Sequence, residues 1–282
     1  MRFVAIAFEN AKKGLQMVDS QEGFFQNVYK ILANEKYVGY LLDGLGQTML
    51  IALVGTVCGL LIGLATGVIR TTPMSARRWV SDLQKAINGL ISVYVEIFRG
   101  TPMMVQAMVI YWGYAFANDG RELPLIPAGI FIVSINTGAY MTEIVRGGII
   151  SIDKGQFEGA QSVGMTHVQT MIHVVIPQVL RNILPSVSNE FVINIKDTSV
   201  LNVIGVMELY YMAGKIEFIT YDTFEIYLII CVIYFAMTFS VTRLLRLAEQ
   251  KLTGGDSYTI CGSQSDPAAE IHIVKKEERI GD

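Results

Sequence analysis

Of the 282 residues, 52% are apolar and only 17% are charged, against roughly 25% charged in a soluble domain, and the charges gather outside several long apolar runs. That excludes an ordinary soluble chain and predicts an all-α, multi-pass protein in contact with membrane lipid. A net charge of −3 gives no ground for expecting a nucleic-acid partner.

The first forty residues lack the compact apolar core of a secretory signal peptide, so the first span is expected to act as the insertion signal. Residues 24–43 are predicted to form an interfacial amphipathic helix, with Phe24, Phe25, Val28, Ile31 and Leu32 on its apolar side. Residues 48–69 then run without a charge, and as a helix they would cover about 33 Å, enough to cross a hydrocarbon core. Gly55, Gly59, Gly63 and Gly67 recur every fourth residue along this span and predict a packing seam where another helix approaches at backbone distance.

As one helix, residues 86–117 would reach about 46 Å, too long for a single perpendicular span, so a break is expected. Gly100, Thr101 and Pro102 supply it: Gly ends a helix, Thr can cap the next, and Pro suits a first turn. The prediction is an interfacial or cytoplasmic helix over 78–99 and a span over 102–117. Residues 125–146 and 224–246 form further spans. Between them, 178–206 has helical apolar spacing but carries Asn182, Ser186, Asn189, Glu190, Asn194, Lys196 and Asp197, too polar to face lipid. It is predicted to line a cavity and to be interrupted near Lys196.

Five spans place the termini on opposite sides. Arg70, Arg77, Arg78 and Lys85 follow the first span and Arg246 and Lys251 the last, whereas 118–124 holds only Arg121 beside Asp119 and Glu122. The excess of Lys and Arg puts the N-terminus outside and the C-terminus in the cytoplasm of a cell (plasma or inner) membrane. Residues 1–43 then form an extracytoplasmic segment, 44–252 the transmembrane domain, and 253–282, rich in Gly, Ser and charge, a disordered cytoplasmic tail.

Cys58, Cys231 and Cys261 show no paired spacing, and His167, His173 and His272 have no second ligand on the same helix face, so no metal is expected. No phosphate-cradling loop and no nucleophile elbow occur. The chain is expected to be non-catalytic and to bind no cofactor; any ATP is bound elsewhere.

The polar segment 153–177 falls on the cytoplasmic side. Asp153 with Gln156, and Thr166 with Gln169, have capping-box spacing, so two short helices are predicted, the first ended by Gly164 and the second interrupted by Pro177. A compact helix–turn–helix knob results, with Gly159, Ala160 and Gly164 permitting close approach and Glu158 offering a charge to a partner.

Glu158, Gly159, Ala160 and Gly164, followed by Ile176 and Pro177, resemble the signature of permease subunits of ABC importers, a Glu-Ala-Ala loop with a Gly four residues on and a later Pro. Gly159 stands where that family usually has Ala, and Ile176 where Leu is common. The stretches Tyr94 to Pro102, Ala139 to Gly148, Lys154-Gly155-Gln156 and Asn194 to Ser199 are similar to the polar amino acid branch, and the resemblance covers about residues 40–250. It implies a type I ABC importer permease fold, five transmembrane helices with a cytoplasmic coupling loop. It also implies partners: an ABC ATPase dimer that uses ATP and Mg, a second permease subunit of the same or a homologous chain, an extracytoplasmic solute-binding protein and a polar amino acid substrate. Gln156, Glu158, Gly159, Ala160, Gly164 and Pro177 would then couple the spans to the ATPase.

An amino acid zwitterion entering a low-dielectric path needs acceptors for its ammonium and donors for its carboxylate. Candidates are Asn136, Tyr140, Asn189, Glu190, Asn194, Lys196, Asp197 and Ser199, with Thr137 and Thr198 beside them; equally, Lys196 and Asp197 could simply pair at a helix break. Glu96 with Arg99, and Glu143 with Arg146, repeat one i, i+3 pattern and form candidate ion pairs, either structural or part of an inner gate. The alternative function is a secondary amino acid carrier that works without an ATPase.

Overall fold

The computed structural model describes residues 21–253, 257–261 and 270–274; the expectations for the first twenty residues and for the rest of the tail fall outside them. The described residues begin with α1 (Gln21–Ala33) and α2 (Glu35–Thr71). Asn34 separates them by accepting the N–H groups of Lys36 and Tyr37 at 3.0 and 3.4 Å, which starts a new helix. The helix predicted over 24–43 is therefore two pieces, and residues 35–43 are the first turns of a 37-residue α2 that contains the whole first span.

The bundle continues through α3 (Arg78–Gly100), α4 (Met103–Ala117) and α5 (Leu125–Ile150). Helices α2 and α5 run parallel, with Gly55, Gly59, Gly63 and Gly67 against Val133, Thr137, Met141 and Val145 in turn. A Cβ on Gly59 would sit 2.8 Å from Thr137 Cβ, and one on Gly67 2.7 Å from Val145 Cγ1, so the predicted seam is a backbone-to-side-chain contact with no room to spare. The break at 100–102 lies where expected, but its chemistry differs. Pro102 itself occupies the cap position of α4, and the Thr101 hydroxyl turns back to donate to the Ile97 carbonyl at 2.8 Å.

After α6 (Lys154–Ser162) and the short α7 (His167–Thr170), a π turn over Met171–Val175 leads without a break into α8 (Ile176–Asp197). Pro177 therefore does not interrupt the second loop helix as predicted. The Ile176 N–H reaches back five residues to the Met171 carbonyl, so the ladder has already changed register where the proline lacks its N–H, and the rod continues. The predicted interruption near Lys196 is real: α-helical geometry ends at Asp197 and a 3-10 turn over Thr198–Ile204 follows, closed by Gly205 at φ +88°.

Two elements were not expected. Helix α9 (Leu209–Thr220) starts on Glu208, whose carboxylate accepts the N–H groups of Tyr210 and Tyr211 at 2.9 and 2.7 Å, and it packs on α2 so closely that a Cβ on Gly44 would lie 2.9 Å from Leu209 Cα. After α10 (Thr223–Thr253), Ser257–Cys261 pairs antiparallel with Glu270–Val274, a two-stranded ladder within the tail predicted to be disordered.

Three apolar clusters tie the bundle. Ile31, Leu41, Leu209 and Ile226 join α1, α2, α9 and α10 at the end remote from the 153–177 loop; Ile51, Tyr111, Ile132 and Leu201 occupy the middle; Val145, Ile149, Met171 and Val179 lie beside the loop. Among the described residues three helices, α2, α5 and α10, are long and apolar enough to cross a membrane, and α4 is a shorter apolar helix. Helix α8 is more polar because its inward face carries the site.

Candidate functional site

Helix α8 presents Glu190, Ile193, Asn194 and Asp197, spaced i, i+3, i+4 and i+7, along one face. Opposite stand Asn136 and Tyr140 of α5 and the α3–α4 break at Thr101, Pro102 and Met103, and together these nine residues enclose a cleft of about 190 Å³. Gln106 bridges the two sides of the break. Gln106 Nε2 donates to the carbonyls of Phe98 and Thr101, both at 2.9 Å, while its Oε1 accepts from Asn136 Nδ2 at 2.9 Å. An interrupted helix inside a bundle needs such a substitute for its lost backbone bonds.

Asn194 is tied up differently. Its Nδ2 donates to the hydroxyls of Thr56 at 2.8 Å and Thr137 at 3.0 Å, and all three residues are buried. The triangle joins α2, α5 and α8 directly behind the cleft, so Asn194 acts first as a structural joint. The carboxylates of Glu190 and Asp197 suit an ammonium group, and the first turn of α4 brings the positive end of its helix dipole to the same space, where it suits a carboxylate.

Of the eight predicted pathway residues, Asn136, Tyr140, Glu190, Asn194 and Asp197 meet in the cleft. Asn189 and Lys196 are exposed on other faces of α8, and half-buried Ser199 lies in the 3-10 turn; none of the three lines the cleft. Thr137 belongs to the triangle, and Thr198 donates to the Ile195 carbonyl at 3.0 Å. Lys196 and Asp197 form no ion pair with each other among the described residues.

At the other candidate site, the Asp153 carboxylate caps α6 by accepting the Gly155 N–H at 2.7 Å, rather than through the expected reciprocal box with Gln156. The predicted box at Thr166 and Gln169 is present with both of its bonds. Gly164, at φ +81°, ends α6: its N–H donates to the Gln161 carbonyl and the Met165 N–H to the Ala160 carbonyl, the paired bonds of a Schellman cap. Ala160 is buried, and Phe157 packs into the apolar cluster of Ile149, Met171 and Val175, while Glu158, Gly159 and Gly164 stay exposed. The loop is thus seated on the bundle by one side and presents the other.

Residues 59–254 match the family model described as the binding-protein-dependent transport system inner membrane component. The chain belongs to this family. It is 34% identical over 212 residues to the glutamine transport system permease protein GlnP of Escherichia coli (strain K12), covering 75% of this chain and 92% of the relative. It is 31% identical over 222 residues to the arginine transport system permease protein ArtQ of Bacillus subtilis (strain 168), covering 78% and 95%. Among solved structures, an amino acid ABC transporter crystallised with histidines matches at 37% identity and a TM-score of 0.66, over 78% of this chain and 98% of that one. The MetNI methionine ABC transporter in an inward-facing form shares the fold at 18% identity and a TM-score of 0.60, over 76% and 98%. The fold is the type I ABC importer permease fold, in a multi-pass membrane protein.

In this inner membrane component the two Glu/Arg repeats diverge. Glu143 pairs with Arg146 at 2.8 Å and also with Arg70 of α2, whose guanidinium reaches Ser92 of α3 at 3.4 Å. Glu96 and Arg99 form no ion pair among the described residues; the Arg99 guanidinium instead lies over the Tyr140 ring, 5.4 Å from its centroid. Sequence reasoning missed Arg70, used only to count loop charge, and Gln106, which stands four residues after Pro102 within an apolar run. A lone Gln so placed after a helix break was the available signal.

Proposed function

We propose that the chain is the membrane-spanning, non-catalytic permease subunit of an ATP-driven importer of polar amino acids. The carrying observation is that one chain combines a small polar cleft, flanked by carboxylates and by a helix N-terminus, with a capped, exposed loop seated on the helix that lines that cleft. The glutamine and arginine permeases to which it is similar support the substrate class. In the working complex an ATPase dimer, using ATP and Mg, docks on Glu158 to Gly164, a second permease completes the pathway, and an external binding protein delivers the substrate. The N-terminus is outside and the C-terminus cytoplasmic, which puts the loop on the ATPase side. Val163 and Val168, 76% and 64% accessible, follow Glu158 in the same loop and give that contact an apolar component. Family membership leaves the ATPase-free carrier without support.

Copurification of the permease with its ATPase should be lost on Glu158→Ala combined with Gly164→Val, and Glu190→Gln should abolish amino acid stimulation of ATP hydrolysis in the assembled complex while leaving the association intact. Retained association in the first case removes the docking role, and unchanged stimulation in the second removes the substrate site.

Glu143, one turn beyond Tyr140 toward the loop, joins α5 to α2 through Arg70 and pairs with Arg146 on its own helix. We place it at an inner gate that closes the route below the cleft. If Glu143→Gln and Arg146→Gln leave both uptake and basal ATP hydrolysis unaltered, the pair is only a structural clamp.

A further inference from the structure

We infer that Gln178 is a positioning residue that locks the first loop helix to the cleft-lining helix, so that movement of one is delivered to the other; this rests on the docking role proposed for the loop. Three observations meet at this side chain. The π turn over Met171–Val175 and the missing N–H of Pro177 make the junction between loop and α8 the place where the backbone ladder is least regular. A rod with such a register change can bend there. Across that junction the Gln178 amide uses both of its hydrogens, one donated to the Val174 carbonyl at 2.8 Å and the other to Gln156 Oε1 at 3.2 Å.

The second bond matters because Gln156 belongs to α6, within about one turn of Phe157, Glu158 and Ala160. Phe157 anchors α6 to the bundle through apolar contact, which resists separation but permits sliding. A directional hydrogen bond from a residue of α8 itself supplies the missing register. Displacement of the loop then loads α8 beyond the irregular turn rather than being absorbed by it, and α8 carries Glu190, Asn194 and Asp197 to the cleft.

Gln178→Leu removes both donors at similar volume, Gln156→Leu removes the acceptor, and Gln156→Glu keeps an acceptor. The test is amide hydrogen exchange on the whole importer in nanodiscs, with and without Mg-ATP and vanadate. In the wild type, trapping is expected to change exchange in both 154–162 and 186–197. In Gln178→Leu and Gln156→Leu the first change should persist and the second fall at least threefold, with the double variant no worse than either single one, while Gln156→Glu, which keeps the acceptor, should retain the response in 186–197. The inference is overturned if α8 responds normally in both Leu variants, if their effects multiply, or if Gln178→Leu alone loses the ATPase. Should trapping alter neither segment in the wild type, the docking role itself falls, and this inference with it.

Discussion

The 153–177 loop and the cleft are built on opposite principles, although α8 connects them. The bonds that cap the loop's helices each span a few residues: Asp153 to Gly155, Thr166 to Gln169, and Met165 to Ala160. The cleft is held by bonds that cross the sequence, Asn194 to Thr56 and Thr137 and Asn136 to Gln106, joining elements 30 to 138 residues apart. A local device can be altered without disturbing the bundle, because its partners travel with it. A crossed joint cannot, because each side chain satisfies buried groups on two other helices. Damage to the loop should therefore appear as lost coupling in a folded protein, and damage behind the cleft as lost stability.

The sharpest way to break this contrast is Asn194→Leu. It leaves the buried Thr137 hydroxyl without its partner on α8 and deprives Thr56 of a donor, at a cost of about 2–4 kcal/mol. The thermal midpoint of the purified permease in detergent should drop accordingly. Adding Thr137→Val should recover at least half of the loss, since removing both partners of a buried bond is far cheaper than removing one. A single variant as stable as wild type, or a double variant less stable than the single, would refute the joint.

The same contrast governs what could be foreseen. The capping residues of the loop and the four-residue glycine repeat of α2 were legible because each rests on spacing along one helix. The interruption after Asp197 was legible because a run of polar residues within an apolar helix is too costly to bury against lipid and is tolerated where the backbone lines a cavity. Which polar residues of α8 face inward was not, since that depends on rotation about the helix axis: Asn189 and Glu190 are neighbours in sequence, yet one is exposed and the other 4% accessible. The separation of Arg99 from Glu96 has the same origin, because the i, i+3 spacing permitted a pair that the Tyr140 ring outcompetes. Helix α9 escaped notice because Glu208 is an unusual cap, stabilised here by a hydrogen bond from the Tyr234 hydroxyl at 3.0 Å.

On the loop side, Gly164→Val forces a β-branched residue to φ +81°, which costs about 1–2 kcal/mol and opens the Schellman cap. No atom stands within 4 Å of the added Cβ, so the strain stays in the backbone. The expected result is roughly a tenfold weaker association with the ATPase, with the thermal midpoint of the isolated permease unchanged. A fall in the midpoint as large as that of Asn194→Leu would show that the loop is part of the core and end the distinction between the two regions.

Gly159→Ala tests the loop from the other direction. Gly159 lies inside α6 with ordinary helical geometry, and an added Cβ meets nothing within 4 Å, so the substitution trades conformational freedom of the unfolded loop for helix propensity at no steric cost. About 0.5–1 kcal/mol of local stabilisation should follow, read as a twofold to fivefold slowing of amide exchange confined to 154–162. If the slowing spread through α8 to the cleft in the permease alone and still did so with Gln178→Leu added, the π turn would already be rigid, and Gln178 would have nothing to bridge. Slowing confined to α6 would mean that the loop and the cleft are separate cooperative units, so any signal passing between them must cross at the Gln156–Gln178 contact or through the Phe157 cluster.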